Sequence, residues 1–213
     1  WRREPTAAAR VVALLTGEAD VVTGVAPEDA RNIAAVDQAR LVSVPGNVGA
    51  VFMCNFLSGP CTDPAVRQAL NYALEVPQLI ETVMKGAGRP LNGPLTPYHL
   101  GHDPATDPYR YDLEKAQALL KRAGYAGGLE LVLDVPTVLP NRAPELAQEM
   151  AQQYAKVGIA TEVKVFSDRP AYADMVRAKE IDDACCFDSS PLSTYRVLRE
   201  KFHSAVHGAW WQG

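Results

Sequence analysis

The chain has 213 residues, of which 47% are apolar and 22% charged, with a formal net charge of −4 and a pI near 5.6. That length suits one large domain, or one and a half smaller ones, and allows a sizeable core. The near-neutral balance excludes a general electrostatic attraction for nucleic acid or anionic lipid. Normal apolar content argues against disorder, and no run of 18 residues is free of charged or turn residues, so no segment reads as a membrane span.

From the start, Thr6 to Leu15 carries Ala, Val and Leu at helical spacing and stops at Gly17. Ala19-Asp20-Val21-Val22 reads as a short strand. Pro27-Glu28-Asp29-Ala30 opens a second helix, with acids in the turn where the helix dipole is positive. Leu41 to Val44 reads as a strand ending at Pro45-Gly46-Asn47, the best candidate for a chain crossing or hinge. Gly49 to Phe56 is a continuous apolar run of β-formers, which predicts a strand buried on both faces.

Thr62-Asp63-Pro64 predicts a helix start, a capping side chain followed by Pro in the first turn, with Val66, Ala69, Leu70 and Ala73 along one face. A further helix runs from Pro77 to a stop at Lys85-Gly86. Residues 87–111 hold five prolines and form a long irregular excursion. Asp112 caps a helix ending at Gly124. Leu129–Asp134 and Thr161–Phe166 read as strands around a helix from Pro144 to Val157, which implies a parallel pair with a right-handed crossover. Tyr172–Lys179 is a helix, Asp183–Phe187 a strand and Tyr195–Phe202 a helix. The class is α/β.

The catalytic inventory is thin. The sequence contains no G-x-S-x-G elbow, P-loop, G-x-G-x-x-G or H-E-x-x-H. His203 and His207 are four apart, and His99 and His102 lie in the irregular stretch, but neither pair has a signalled third metal ligand. No metal and no cofactor are expected. Four cysteines (Cys54, Cys61, Cys185, Cys186) are too few for a disulfide scaffold. Cys54 could bridge to Cys61 across a short loop or to one of the vicinal pair, or all four could be buried thiols. Cys185 or Cys186 beside Asp188 suggests a nucleophile, against the commoner reading of a buried strand.

Phe187-Asp188-Ser189-Ser190-Pro191-Leu192-Ser193-Thr194-Tyr195 follows a strand and precedes a helix. Its hydroxyls and free backbone N–H groups therefore cluster at a strand's carboxyl end, where open α/β sheets place ligands. The alternative is a plain helix cap by Ser190 or Ser193.

Several segments match a known family in order. They are Gly17-Glu18-Ala19-Asp20-Val21-Val22, Asp63-Pro64-Ala65-Val66-Arg67-Gln68-Ala69-Leu70-Asn71-Tyr72-Ala73-Leu74, Gly86-Ala87-Gly88-Arg89-Pro90 and Gly93-Pro94-Leu95-Thr96-Pro97. They continue with Tyr111-Asp112-Leu113-Glu114-Lys115-Ala116, Leu119-Leu120-Lys121-Arg122-Ala123-Gly124-Tyr125 and Ala155-Lys156-Val157-Gly158-Ile159. Together they resemble the family 5 extracellular solute-binding proteins of ABC transporters, the dipeptide-, oligopeptide- and nickel-binding type.

The resemblance implies a two-lobed receptor, well over twice this length, that closes on a solute. This chain would be a piece of it: the end of the first lobe over 1–46, and most of a second, periplasmic-binding-protein-like (class II) lobe over 47–213, a mixed sheet flanked by helices. The absence of an initial Met and the terminal Trp210-Trp211 pair fit that expectation. The implied function is extracytoplasmic solute binding for an ABC importer rather than catalysis, with a peptide or a related small solute as cargo. A non-peptide solute such as a sugar, an opine-like conjugate or a metal chelate is the alternative. The expected partners are membrane permease subunits and no nucleic acid. The full-length protein is expected to be a monomer in the periplasm or outside the cell, free or held by a lipid anchor.

Three regions are implied as solute contacts. Similar proteins carry an acidic loop ending Asp-Pro at the position of Phe187 to Pro191, and in peptide binders that Asp pairs with the ligand's α-amino group. Here Ser190 precedes Pro191, so the charge partner is missing unless Asp188 replaces it, with Phe187, Ser189 and Ser190 beside it. Arg142 falls near the Arg that dipeptide binders use for the ligand carboxylate, which its fork geometry suits. Asn47, Phe52, Cys54 and Asn55 lie at the crossing and on the following strand, where the cleft wall is expected, although alternate residues of a strand face opposite sides, so not all can touch solute.

Overall fold

In a computed structural model, residues 2–4, 6–106, 109–138, 140–189, 193–203, 205 and 212 are described, Ser189 by its backbone alone. The chain divides into two compact units, Trp1–Gly46 with Ile80–Arg89, and Asn47–Leu79 with Pro90–Gly213.

The first unit holds α1 (Ala7–Leu15) and α2 (Pro27–Ala34). The helix expected from Thr6 begins at Ala7, with Thr6 as its cap, the hydroxyl accepting from Ala9 N at 3.2 Å, and Val11, Ala13 and Ile33 are buried. Arg10 ties the flanking chain down, donating to Glu4 O at 2.9 Å and Gly24 O at 2.8 Å. The strands expected at Ala19–Val22 and Leu41–Val44 do not form. A strand exists only through a neighbour's hydrogen bonds, and the described part of this unit offers no second strand. Val21 (77% exposed) and Val44 (75%) stand in solvent instead.

The second unit is built on a four-stranded sheet of order β1-β4-β2-β3, with β1 Gly49–Cys54, β2 Leu129–Pro136, β3 Ile159–Phe166 and β4 Ala184–Ser189. β2 is parallel to β3 from Leu129↔Ile159 to Pro136↔Phe166, and β4 is parallel to β2. β1 runs antiparallel to β4. The strand expected to be buried on both faces over Gly49–Phe56 is therefore an edge strand that stops at Cys54. Only its first residue is fully buried, because among the described residues one side has no partner strand.

Helices take the positions their caps predict. Asp63 caps α3 (Pro64–Tyr72) through Ala65 N at 2.7 Å, and Asp112 caps α5 (Leu113–Arg122) through Lys115 N at 2.9 Å. Between them α4 spans Val76–Thr82, and the described residues of 87–111 are irregular as expected. The crossover helix α6 (Ala143–Ala155) buries Leu146, Ala147, Met150 and Tyr154 against β2 and β3. α7 (Arg169–Ala178) lays Tyr172, Ala173 and Val176 on Cys185 and Phe187, with Val51, Met53 and Phe166 at the margin. α8 spans Thr194–Lys201 and is capped by Ser193, whose hydroxyl accepts from Arg196 N. The 190–192 part of its approach lies outside the described residues.

One turn requires glycine. Gly59 sits at φ 71° and ψ −168°, and a Cβ there would come within 2.5 Å of Asp183 Oδ1. Asp183 is not free to move, because its Oδ2 accepts from Val132 N of β2 at 2.8 Å. Gly59→Ala is therefore expected to destabilise the second unit by about 2 kcal/mol. An unchanged urea midpoint would show that the turn relaxes without loss.

Candidate functional site

Because β2, β3 and β4 are parallel, their carboxyl ends share one edge of the sheet, and each is followed by the amino end of a helix: α6, α7 and α8. β1 runs the other way, so its beginning reaches the same edge, where Gly49 pairs with Ser189. Exposed polar groups and helix N-terminal N–H groups are thereby gathered in one place, the usual ligand position of an open α/β sheet.

Four expected residues belong to the segments that reach this edge. Asn47 precedes β1, Asp188 and Ser189 end β4, and Arg142 stands immediately before α6 with left-handed backbone (φ 60°, ψ 26°). Asn47, Arg142 and Asp188 are each half-buried. A further residue, not singled out from sequence, is ion-paired there. Arg169, the first residue of α7, donates from Nη2 to Asp188 Oδ1 at 3.1 Å, with side chains 17% and 20% exposed. Its guanidinium also lies over the Phe187 ring, 4.1 Å from the centroid. Lys201 of α8 approaches the same ring at 5.8 Å, and burial pushes its ammonium below the ordinary lysine range while Asp188 and Glu200 oppose the shift. Asp188 is thus already engaged by a cation of its own chain, and a solute ammonium at this edge must share that carboxylate with Arg169. The signal for Arg169 was present in Asp168-Arg169-Pro170, a cap and helix start directly after a strand.

Other expected residues are placed elsewhere. Phe187 is 5% exposed and stacks on Tyr172 (centroids 6.2 Å apart, planes 12° apart), so it belongs to the core under α7. Phe52 is opposite Cys186 in mid-strand, on the face alternate to Val51 and Met53. Asn55 is at the far edge, where β4 begins. Its Nδ2 donates to Ile181 O (3.1 Å), Asp182 O (2.9 Å) and Ser58 Oγ (3.2 Å), and its Oδ1 accepts from Leu57 N (2.9 Å). That set of bonds makes it a clamp of the scaffold. Ser190 lies outside the described residues.

The thiol-nucleophile alternative meets a physical obstacle. Burial pushes the Cys185 thiol up to about 12, with the Asp134 charge adding to it, and burial likewise raises Cys186. A protonated thiol inside a β-strand is no nucleophile. Of the histidines, His99 is buried with Nδ1 accepting from Thr96 N at 3.0 Å, and His207 lies outside the described residues. Among the described residues no group of three His, Cys, Asp or Glu could hold a metal, and no helix is long and apolar enough to cross a membrane.

Comparison with known proteins places this geometry in context. The family described as bacterial extracellular solute-binding proteins, family 5 Middle, matches residues 3–208. The glutathione-binding protein GsiB of Pectobacterium atrosepticum is 33% identical over 163 residues, covering 76% of this chain and 31% of that protein. Among solved structures, HbpA2 of Haemophilus parasuis superposes with a TM-score of 0.84 at 25% identity, covering 100% of this chain and 43% of its own. The periplasmic binding protein DppA of Helicobacter pylori, in complex with the peptide STSA, superposes with a TM-score of 0.80 at 25% identity, covering 92% and 38%. The chain thus spans about a third of the length of the curated relative it matches.

Proposed function

We infer that this chain, which belongs to the bacterial extracellular solute-binding proteins of family 5, is part of the extracytoplasmic receptor of an ABC importer that takes up a peptide or a related small solute. The family match from residue 3 to residue 208 carries the reading. The gathering of Asn47, Arg142, Arg169 and Asp188 at the carboxyl edge of the sheet supports it, because such an edge offers a few fixed polar groups rather than reacting ones. In this reading the unit containing the sheet is the second lobe, residues 1–46 are the end of the first, and the solute is held where the lobes close. The binding role is non-catalytic, and closure reports occupancy to permease subunits in the membrane.

A non-peptide solute has one specific observation behind it. Where a peptide ammonium would need an unshared carboxylate, Asp188 is ion-paired with Arg169, and its neighbours Ser189 and Ser190 are hydroxyls rather than acids. With Arg169 and Asp188 offsetting each other, Arg142 tips the charge at this edge towards an anionic conjugate or chelate rather than a cation.

The test uses the full-length parent protein in a thermal-shift screen against di- and oligopeptides, glutathione, sugars and metal chelates. One class is expected to give a saturable rise, equivalent to about 2.7 kcal/mol at a hundredfold excess over Kd. Absence of any shift across the panel, with the sheet intact by circular dichroism, would remove the transport reading.

A further inference from the structure

At the edge of the sheet remote from Asp188, the segment from Cys54 to Cys61 forms a tightly held loop. Cys54 is the last residue of β1, and Cys61 is the central residue of a single 3-10 turn, Pro60–Thr62, that leads directly into α3. Asn55 clamps one side of the loop onto residues 181–183 by the bonds described above, and Asn55 N donates to Asp183 O at 2.8 Å. On the other side Arg67 of α3 donates from Nη1 to Cys61 O at 2.8 Å and Thr62 O at 3.0 Å, and its guanidinium covers the Phe56 ring at 4.4 Å. Thr62 Oγ1 donates to Gly59 O at 2.9 Å. Within this clamped loop the two thiols are hydrogen-bond partners of each other. Both are free thiols, Cys61 fully buried and Cys54 half-buried.

We propose that Cys54 and Cys61 are a redox-active pair that closes to a disulfide by exchange with a small disulfide donor, stapling the end of β1 to the turn that starts α3. The pair divides the labour in the way thiol–disulfide exchange needs. The Cys61 hydrogen bond, with the charge of Arg67 assisting, holds the Cys54 thiol below its ordinary range against the effect of burial. The same bond and burial hold the Cys61 thiol well above that range. Cys54 is therefore the attacking thiolate and also the more accessible sulfur.

With glutathione disulfide as donor, Cys54 Sγ attacks one sulfur and forms a mixed disulfide, and one glutathione leaves as thiolate and takes a proton from solvent. Cys61 then yields its proton to solvent and attacks Cys54 Sγ, expelling the second glutathione, which is protonated in turn. The protein loses two electrons and two protons, and glutathione disulfide becomes two molecules of glutathione. Cys61 never has to meet the oxidant, so its burial is no obstacle. Cys185 and Cys186 lie within a paired strand with their thiols held protonated, so they remain reduced. None of this depends on what solute the protein binds.

The purified protein is treated with excess glutathione disulfide, quenched with an alkylating agent under denaturing conditions, and mapped by mass spectrometry. The expected product lacks two hydrogens, contains a Cys54–Cys61 cross-link and has Cys185 and Cys186 alkylated. It has a higher urea midpoint than the reduced form, because the closed loop restricts the unfolded chain. Cys61→Ser is expected to stop at a single glutathione adduct on Cys54, and folded Cys54→Ser to acquire none. An unchanged mass in the wild-type protein, a cross-link to Cys185 or Cys186, or an adduct on Cys61 in Cys54→Ser would overturn the proposal. The wild-type map decides the matter by itself should either variant fail to fold.

Discussion

Replacing Tyr172 with Ala is expected to remove about 3–5 kcal/mol of stability, a large share of the roughly 5–15 kcal/mol typical of a domain. Tyr172 is 1% exposed and heads the largest fully buried side chains. Its ring meets Phe166 at 5.3 Å and Phe187 at 6.2 Å, so its loss opens a cavity that three elements line. The hydroxyl has a separate role. β2 and β4 are registered only at Leu133↔Ala184 and Asp134↔Cys185. Tyr172 Oη donates to Asp134 O at 2.9 Å and Cys186 O at 2.6 Å, bridging the two strands beside that short ladder. Tyr172→Phe keeps the ring and strands these carbonyls, which predicts a smaller loss of about 1–2 kcal/mol. Urea titration followed by circular dichroism separates the two terms. Equal midpoints for Phe and wild type would show that the bridge contributes nothing, and equal midpoints for Phe and Ala that the ring contributes nothing.

How much of this was legible beforehand depended on whether the deciding interaction is local. Helix starts were, because a cap and its partner are three residues apart: Thr6 with Ala9, and Asp112 with Lys115, can be read from spacing. Strand formation in the first unit was not, since Val21 and Val42 have the right composition but their pairing would have to come from distant chain. The same gap made β1 look doubly buried, because an apolar run does not say whether a strand lies at the edge of a sheet. For the candidate site, the strand-to-helix rule singled out Asp188 and the family resemblance singled out Arg142, while neither pointed to Arg169, which also follows a strand and starts a helix. An Arg at a helix start reads as a solvated charge until its carboxylate partner, 19 residues away, is seen. Asn55 was misplaced for the opposite reason. Alternation along a strand assigns a face but not an end, and its end is the one remote from the converging carboxyl termini.

A second large effect is expected in the pH dependence of stability, and its source is Asp134 in the middle of the sheet. The residue is 0% exposed, its Oδ2 accepts from Asp182 N at 2.8 Å, and its Oδ1 has no hydrogen-bond partner. Burial pushes its carboxyl up to about 6 from an ordinary 3.8, the nearby Asp182 charge adding to that and the Asp182 N–H and Lys164 opposing it. Lys164 is itself held by Asp182 at 2.8 Å, so it relieves Asp134 only in part. A carboxyl that binds its proton more tightly when folded than when unfolded favours the folded state at low pH. That contribution is complete below about 3.8 and is lost as pH rises through about 6. The slope is about 1.4 kcal/mol per pH unit in that window, approaching about 3 kcal/mol in all. Asp134→Asn fixes the side chain in an uncharged form of the same shape, so the variant should lack this component. The difference in stability between Asp134→Asn and wild type should grow in the variant's favour from pH 4.5 to pH 7 and level off above it. Working with the difference cancels the titration of Asp183, whose carboxyl burial also raises, and of the exposed acids common to both proteins. Parallel curves for the two proteins across that range would mean that Asp134 keeps an ordinary titration, and that water or relaxation reaches its unpartnered oxygen.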